Sequence, residues 1–104
     1  MERVGFRMAL RAGAEDEYRR RHAAVWPEMR AELMAAGARE YSIFLHGGDL
    51  FGYLVIDDFA RFRSYMSASA VNERWQREMA ALIDPMTDPS TGFHQRMDEV
   101  FRLD

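Results

Sequence analysis

The sequence predicts an α+β domain of ferredoxin-like β-α-β-β-α-β order, and three observations carry that prediction. A strictly alternating amino-terminal stretch is followed by a helical one. An alternating run and a nearly uniformly apolar one flank the dipeptide Gly47-Gly48. A second long helical pattern ends at Asp84-Pro85 before a short alternating tail. At 104 residues the chain has the length of one domain, 1–104, and such a domain gains core by associating with a copy of itself.

From Arg3 to Leu10, Val4, Phe6, Met8 and Leu10 alternate with Arg3, Gly5 and Arg7, the pattern of a strand with one buried face. Past Ala12-Gly13 the apolar spacing becomes helical: Tyr18, His22, Val25, Trp26, Met29, Leu33 and Ala36, with Gly37 placed to end the helix. Pro27 has no N–H to give Ala23 and disfavours helical geometry at Trp26, so a kink is expected there.

Glu40 to His46 alternates again, Gly47-Gly48-Asp49 turns the chain, and Leu50 to Ile56 is apolar at nearly every position, which predicts a hairpin. The second helical pattern runs through Phe59, Phe62 and Met66, pauses near Ser67 to Ser69, and resumes with Val71, Trp75, Met79 and Leu82. Residues 86–92 read as a loop, and Gln95 to Leu103 as a last strand with Met97, Phe101 and Leu103 on one face. Both faces of the strand at 50–56 call for cover, and a partner's sheet supplies it in the expected homodimer.

The composition excludes several classes of function. With 14 basic and 17 acidic residues the chain offers no footprint for a nucleic-acid backbone. It has no cysteine, hence no disulfide, thiolate metal site or thiol nucleophile. No stretch has the length of a signal core or a membrane span, so a cytoplasmic protein without membrane contact is expected. Scattered carboxylates and isolated histidines predict no metal site.

Histidine is the side chain suited to proton transfer near neutrality, and His22, His46 and His94 are the candidates. His46 at the hairpin turn and His94 beside the loop read as solvated polar residues. His22 shares a face with Tyr18 and Trp26, and the pattern leaves open whether that face is core or site. The acids Glu15, Asp16 and Glu17, each four residues before Arg19, Arg20 or Arg21, read as a solvated helix start, and Asp57-Asp58 as a capping pair. Trp75 and Tyr41 fit either core or pocket floor.

The segment EYRRRHAAVWPEMRAELMAAGAREYSIFL resembles the L-rhamnose mutarotases, with an E-Y-x-x-R-H-x-x-[VI]-W-P-E core and a G-A-x-x-Y-[SA]-I strand. ERWQREM is similar to the R-W-W-x-x-M segment of that family, and EVFRL to its closing strand. The resemblance implies a dimeric α+β barrel that interconverts the α and β anomers of a free 6-deoxy sugar without a cofactor. It implies His22 as the proton donor, with Tyr18, Tyr41 and Trp75 binding the sugar between the first helix and the open sheet face.

Two departures bear on the pocket. Gln76 stands where the family has a second tryptophan, and TDPSTG at 87–92 replaces a loop reading N-P-D-N-S-P. Both concern the choice of sugar, L-rhamnose or a relative, rather than the acid. A ligand-binding barrel without turnover and a cofactor-free oxygenase of the same barrel type are the alternative readings. Anomer exchange without oxygen or net product separates them.

Overall fold

A computed structural model describes residues 1–103. The strand β1, Glu2–Leu10, is central in the sheet, because β3, Asp49–Ile56, pairs with one of its edges and both β4, Ile83–Asp84, and β5, Gln95–Met97, pair with the other. β2, Ala38–His46, lies outside β3, and every pairing is antiparallel. The order β2-β3-β1-β4 is that of the predicted fold, with the last strand divided in two by an inserted loop.

Four helices cover one face: α1 (Glu15–His22), α2 (Pro27–Ala35), α3 (Phe59–Ala68) and α4 (Ala70–Met79). The register sets which side chains meet them. Phe6 lies opposite Gly52, and Tyr41 opposite Leu54, so Val4, Phe6, Met8, Tyr41, Ile43, Leu50 and Leu54 point under the helices. Most of them join Tyr18, Met29, Phe62, Met66, Trp75 and Met79 in one core. Burying a Leu, Phe or Met side chain contributes roughly 1.5–3 kcal/mol each, which makes this layer the main source of stability.

The single bent helix expected across Pro27 is two helices. Trp26 has φ −55° and ψ 135°, an extended conformation, and Pro27 opens α2. The steric demand of the proline ring on the preceding residue is met by leaving the helix altogether, and a proline at the first helical position forfeits no hydrogen bond. The pause at Ser67–Ser69 is likewise a break. Ser69 is extended, and its hydroxyl accepts from the Asn72 amide at 3.1 Å to cap α4. Gly37 ends α2 with φ +99°, as expected of a C′ glycine.

The expected closing strand to Leu103 stops at Met97. Met97 pairs with Gly5, so the antiparallel register would bring Glu99 to Arg3 and leave only Glu2 of β1 beyond, too little to carry a strand to Leu103. Arg3 and Glu99 do meet in an ion pair at 2.8 Å. Val100, Phe101 and Leu103 follow, all exposed.

Asp58 caps α3 as expected, accepting from the Arg61 amide at 2.8 Å, but Asp57 instead takes Arg39 at 2.8 and 3.2 Å. On α1, Glu15 pairs with Arg19 and Glu17 with Arg21, whereas Arg20 bonds Glu17 rather than Asp16. Arg21 also reaches Glu78 on α4 at 2.5 Å, tying those helices together.

Candidate functional site

Tyr18 and His22, four residues apart on α1, stack with ring centroids 4.0 Å apart. Trp75, projected from α4, meets His22 edge-on at 5.5 Å and Trp26 at 5.1 Å. Trp26 has left the helix, yet it remains part of this aromatic group and carries the Arg74 guanidinium over its ring at 5.1 Å. Tyr41 comes from β2 below, 6.0 Å from Phe6.

These side chains surround one space. An open cleft of about 1020 Å³ runs between the helices and the sheet, with His22, Tyr41, Trp75 and Gln76 in its wall. A small chamber of about 30 Å³, which Tyr18 also lines, shares most of that wall. All five candidate residues therefore meet, but beneath the helices. The open sheet face expected to hold the sugar lies on the other side, because the register turns Tyr41 toward the core.

The chemistry of His22 follows from its surroundings. Its Nδ1–H donates to the carbonyl of Tyr18 at 3.0 Å, which leaves Nε2 as the acceptor. Burial holds its pKa below the ordinary value, against the opposing pull of that carbonyl, so the ring is neutral at neutral pH. Among the described residues Nε2 has no hydrogen-bonding partner and is not sealed from solvent, and His22 lines both the cleft and the chamber.

Both phenols stay protonated. Burial pushes Tyr18 up to about 12. Tyr41 is raised further by burial and then by the nearby Tyr18. Tyr41 as a residue is 38% exposed at the sheet edge, so the sheltering concerns only part of its side chain, and the residue lines the chamber. Neither phenol is hydrogen-bonded within the protein among the described residues, and the Tyr18 hydroxyl is not sealed from solvent. Gln76 sits exposed at the mouth, its amide donating to Asn72 Oδ1 at 3.1 Å.

His46 is exposed at the hairpin turn, as expected. His94 is not the solvated residue that its place beside the loop suggests. It is half-buried, stacks on Phe6 at 5.0 Å and lines both the cleft and the chamber. The missed signal is its parity. β5 begins at Gln95, and Arg96 and His94 alternate with it onto the helix-covered face, where Arg96 lies over Phe59 at 4.5 Å.

A family model described as L-rhamnose mutarotase matches residues 3–103. The L-rhamnose mutarotase of Oceanobacillus iheyensis is 39% identical over an alignment of 106 positions, covering all of both chains. That of Bacillus subtilis is 40% identical over the same span, again covering both chains. In three dimensions the fold matches the crystal structure of L-rhamnose mutarotase from Formosa agariphila with a TM-score of 0.81, at 26% identity and with both chains covered in full. With the match extending from the first strand through the tail, this chain belongs to the L-rhamnose mutarotase family.

Proposed function

We propose that the protein interconverts the α and β anomers of free L-rhamnose or a related 6-deoxy sugar, with His22 as the proton carrier. The observation that supports this most is the His22 imidazole held by the Tyr18 carbonyl, with Nε2 unpartnered, in the wall of a cleft with room for a monosaccharide. Ring opening requires the anomeric hydroxyl to lose a proton while the ring oxygen gains one and the C1–O5 bond breaks. Nε2 takes the first proton. A tyrosine hydroxyl or a water supplies the second.

The open-chain aldehyde then turns about C1–C2, and closure runs the same steps backward. The imidazolium returns its proton to O1 and the O5 hydroxyl gives its proton back to the tyrosine or water as the C1–O5 bond re-forms, so the enzyme ends as it began. The same histidine is base in opening and acid in closing. Tyr18 and Tyr41, protonated and unpartnered, hold sugar hydroxyls, and Trp75 offers the apolar ring face that sugars stack on.

The functional unit in this reading is a cytoplasmic homodimer joined through the open sheet faces. Phe44 at 62%, Phe51 at 38%, Tyr53 at 37% and Met97 at 40% exposure leave an apolar surface on that side. Covering it fits a specific interface of roughly 1,200–2,000 Å² in total. Sedimentation at micromolar concentration tests this, with Phe51→Glu expected to shift a dimer to monomer.

The deciding experiment is saturation-transfer NMR of anomer exchange in L-rhamnose, L-fucose and other free sugars. Acceleration of exchange in a 6-deoxy sugar, without oxygen and without a new product, is the expected result. Binding without acceleration would point to the non-catalytic barrel instead.

A further inference from the structure

The cleft holds a second imidazole. His94 enters from the sheet edge, directly after Phe93, whereas His22 enters from the helix layer. Its ring lies nearly parallel to Phe6, 14° between planes at 5.0 Å, with Phe93 against it at 4.9 Å. Its Nδ1–H donates to the Pro85 carbonyl at 2.6 Å across the base of the inserted loop. Among the described residues its Nε2 has no partner and is not sealed from solvent.

Both imidazoles of the cleft therefore have the same design: Nδ1–H fastened to a backbone carbonyl, Nε2 left as a bare acceptor. We propose that His94 contacts the substrate, its Nε2 accepting a hydrogen bond from a sugar hydroxyl other than the anomeric one, and that it thereby takes part in selecting the sugar. This deepens the mutarotase reading and rests on it. Burial and the neighbouring Arg63 keep the ring neutral, so it remains an acceptor at neutral pH. Arg63 itself is occupied with the Thr91 carbonyl at 3.3 Å, on the same loop.

An unmatched acceptor in a sheltered site penalises sugars that lack a hydroxyl at that point, which makes His94 a discriminator. The competing role is purely structural, with the imidazole serving only to staple the loop through Pro85. Substitutions separate the two. Asparagine places an amide N–H where Nδ1–H stands and keeps the loop anchor, but it does not reach the Nε2 position. Glutamine reaches that position with an amide oxygen.

The test is saturation kinetics of anomer exchange for wild type, His94→Asn and His94→Gln on L-rhamnose and on its singly deoxygenated analogues. The expected result is a KM raised about 2- to 10-fold by His94→Asn with little change in kcat, and partial recovery in His94→Gln. For one deoxy analogue, wild type and His94→Asn should have the same KM. An unchanged KM on every sugar overturns the proposal, as does a loss confined to kcat.

If wild type accelerates no sugar, the mutarotase reading fails on its own account. The contact is then read by ¹⁵N NMR of the His94 ring during titration with methyl α-L-rhamnopyranoside, which has no free anomeric hydroxyl and so cannot exchange anomers. A shift at Nε2 on saturation supports the contact, and its absence overturns it.

Discussion

The Nδ1–H of His22 donates to the carbonyl of Tyr18 at 3.0 Å, one turn earlier on the same helix, while the two rings stack at 4.0 Å. One residue thus fixes both the tautomer and the tilt of the other. The tyrosine ring sets the plane of the imidazole, its main chain sets which nitrogen carries the proton, and its side chain lines the same chamber.

Removing the proton carrier while preserving its shape should silence exchange. His22→Gln is expected to lower kcat by on the order of 10²–10⁴-fold, the usual contribution of positioned acid–base groups, with KM changed less. In the wild type, the base form is lost only below the ordinary imidazole value, since burial lowers the pKa. The rate should therefore be flat through neutrality and fall on the acid side. Exchange rates measured across pH for both proteins check this.

The same shift has a consequence for stability. His22 and His94 are both held below 6.5 in the fold by burial, so as pH falls the unfolded chain takes up those protons first. Stability is then present above 6.5 and declines through the window between 6.5 and the depressed folded values. Thermal unfolding at a series of pH values should show Tm dropping in that window, with a shallower drop in a His22→Gln, His94→Gln double variant.

Much of this was readable from local sequence. The alternation of Val4, Phe6 and Met8, the two glycines of the hairpin, Gly37 and the Asp58 cap each specify their element through contacts with near neighbours, and all stand as expected. The four aromatic and imidazole candidates were found by motif and do meet at one cleft. What escaped depends on partners distant in sequence. How far the last strand could run is limited by where β1 begins, some ninety residues away. The role of His94 depends on a Phe6 ring and a Pro85 carbonyl that no window around residue 94 contains together. The break at Trp26 was legible as a disturbance, but whether the helix bends or stops is decided by how α2 must pack.

Gln76 is the clearest departure from the family pattern within the cleft. Its amide donates to Asn72 on the turn before it, and the residue is exposed while lining both the cleft and the inner chamber. A tryptophan there would add an apolar platform in place of a polar edge. Gln76→Trp should shift relative KM values across a sugar panel toward those with a larger apolar face, L-rhamnose among them, and leave the pH profile unchanged. A panel that responds uniformly would assign Gln76 no part in selectivity.

Gly52 is the hinge between fold and site. It lies across from Phe6 in the register, and a Cβ at this position would fall inside the Phe6 ring. Phe6 is fully buried and holds Tyr41 at 6.0 Å, Phe93 at 5.1 Å and His94 at 5.0 Å around its own ring. The missing side chain is therefore what gives the Phe6 ring its place over Gly52, from which it supports Tyr41, Phe93 and His94. Gly52→Ala must displace that ring, at a cost of about 1–3 kcal/mol from overpacking. The displacement passes to Tyr41 and His94, so KM should rise along with the loss of Tm. Adding Phe6→Leu to Gly52→Ala removes the clash and should recover part of the lost stability. It should not recover KM, because a leucine gives His94 no flat surface to stack on. Chemical denaturation and exchange kinetics on the two single variants and the double variant measure both halves. Full recovery of KM in the double variant would show that Phe6 acts as filling alone.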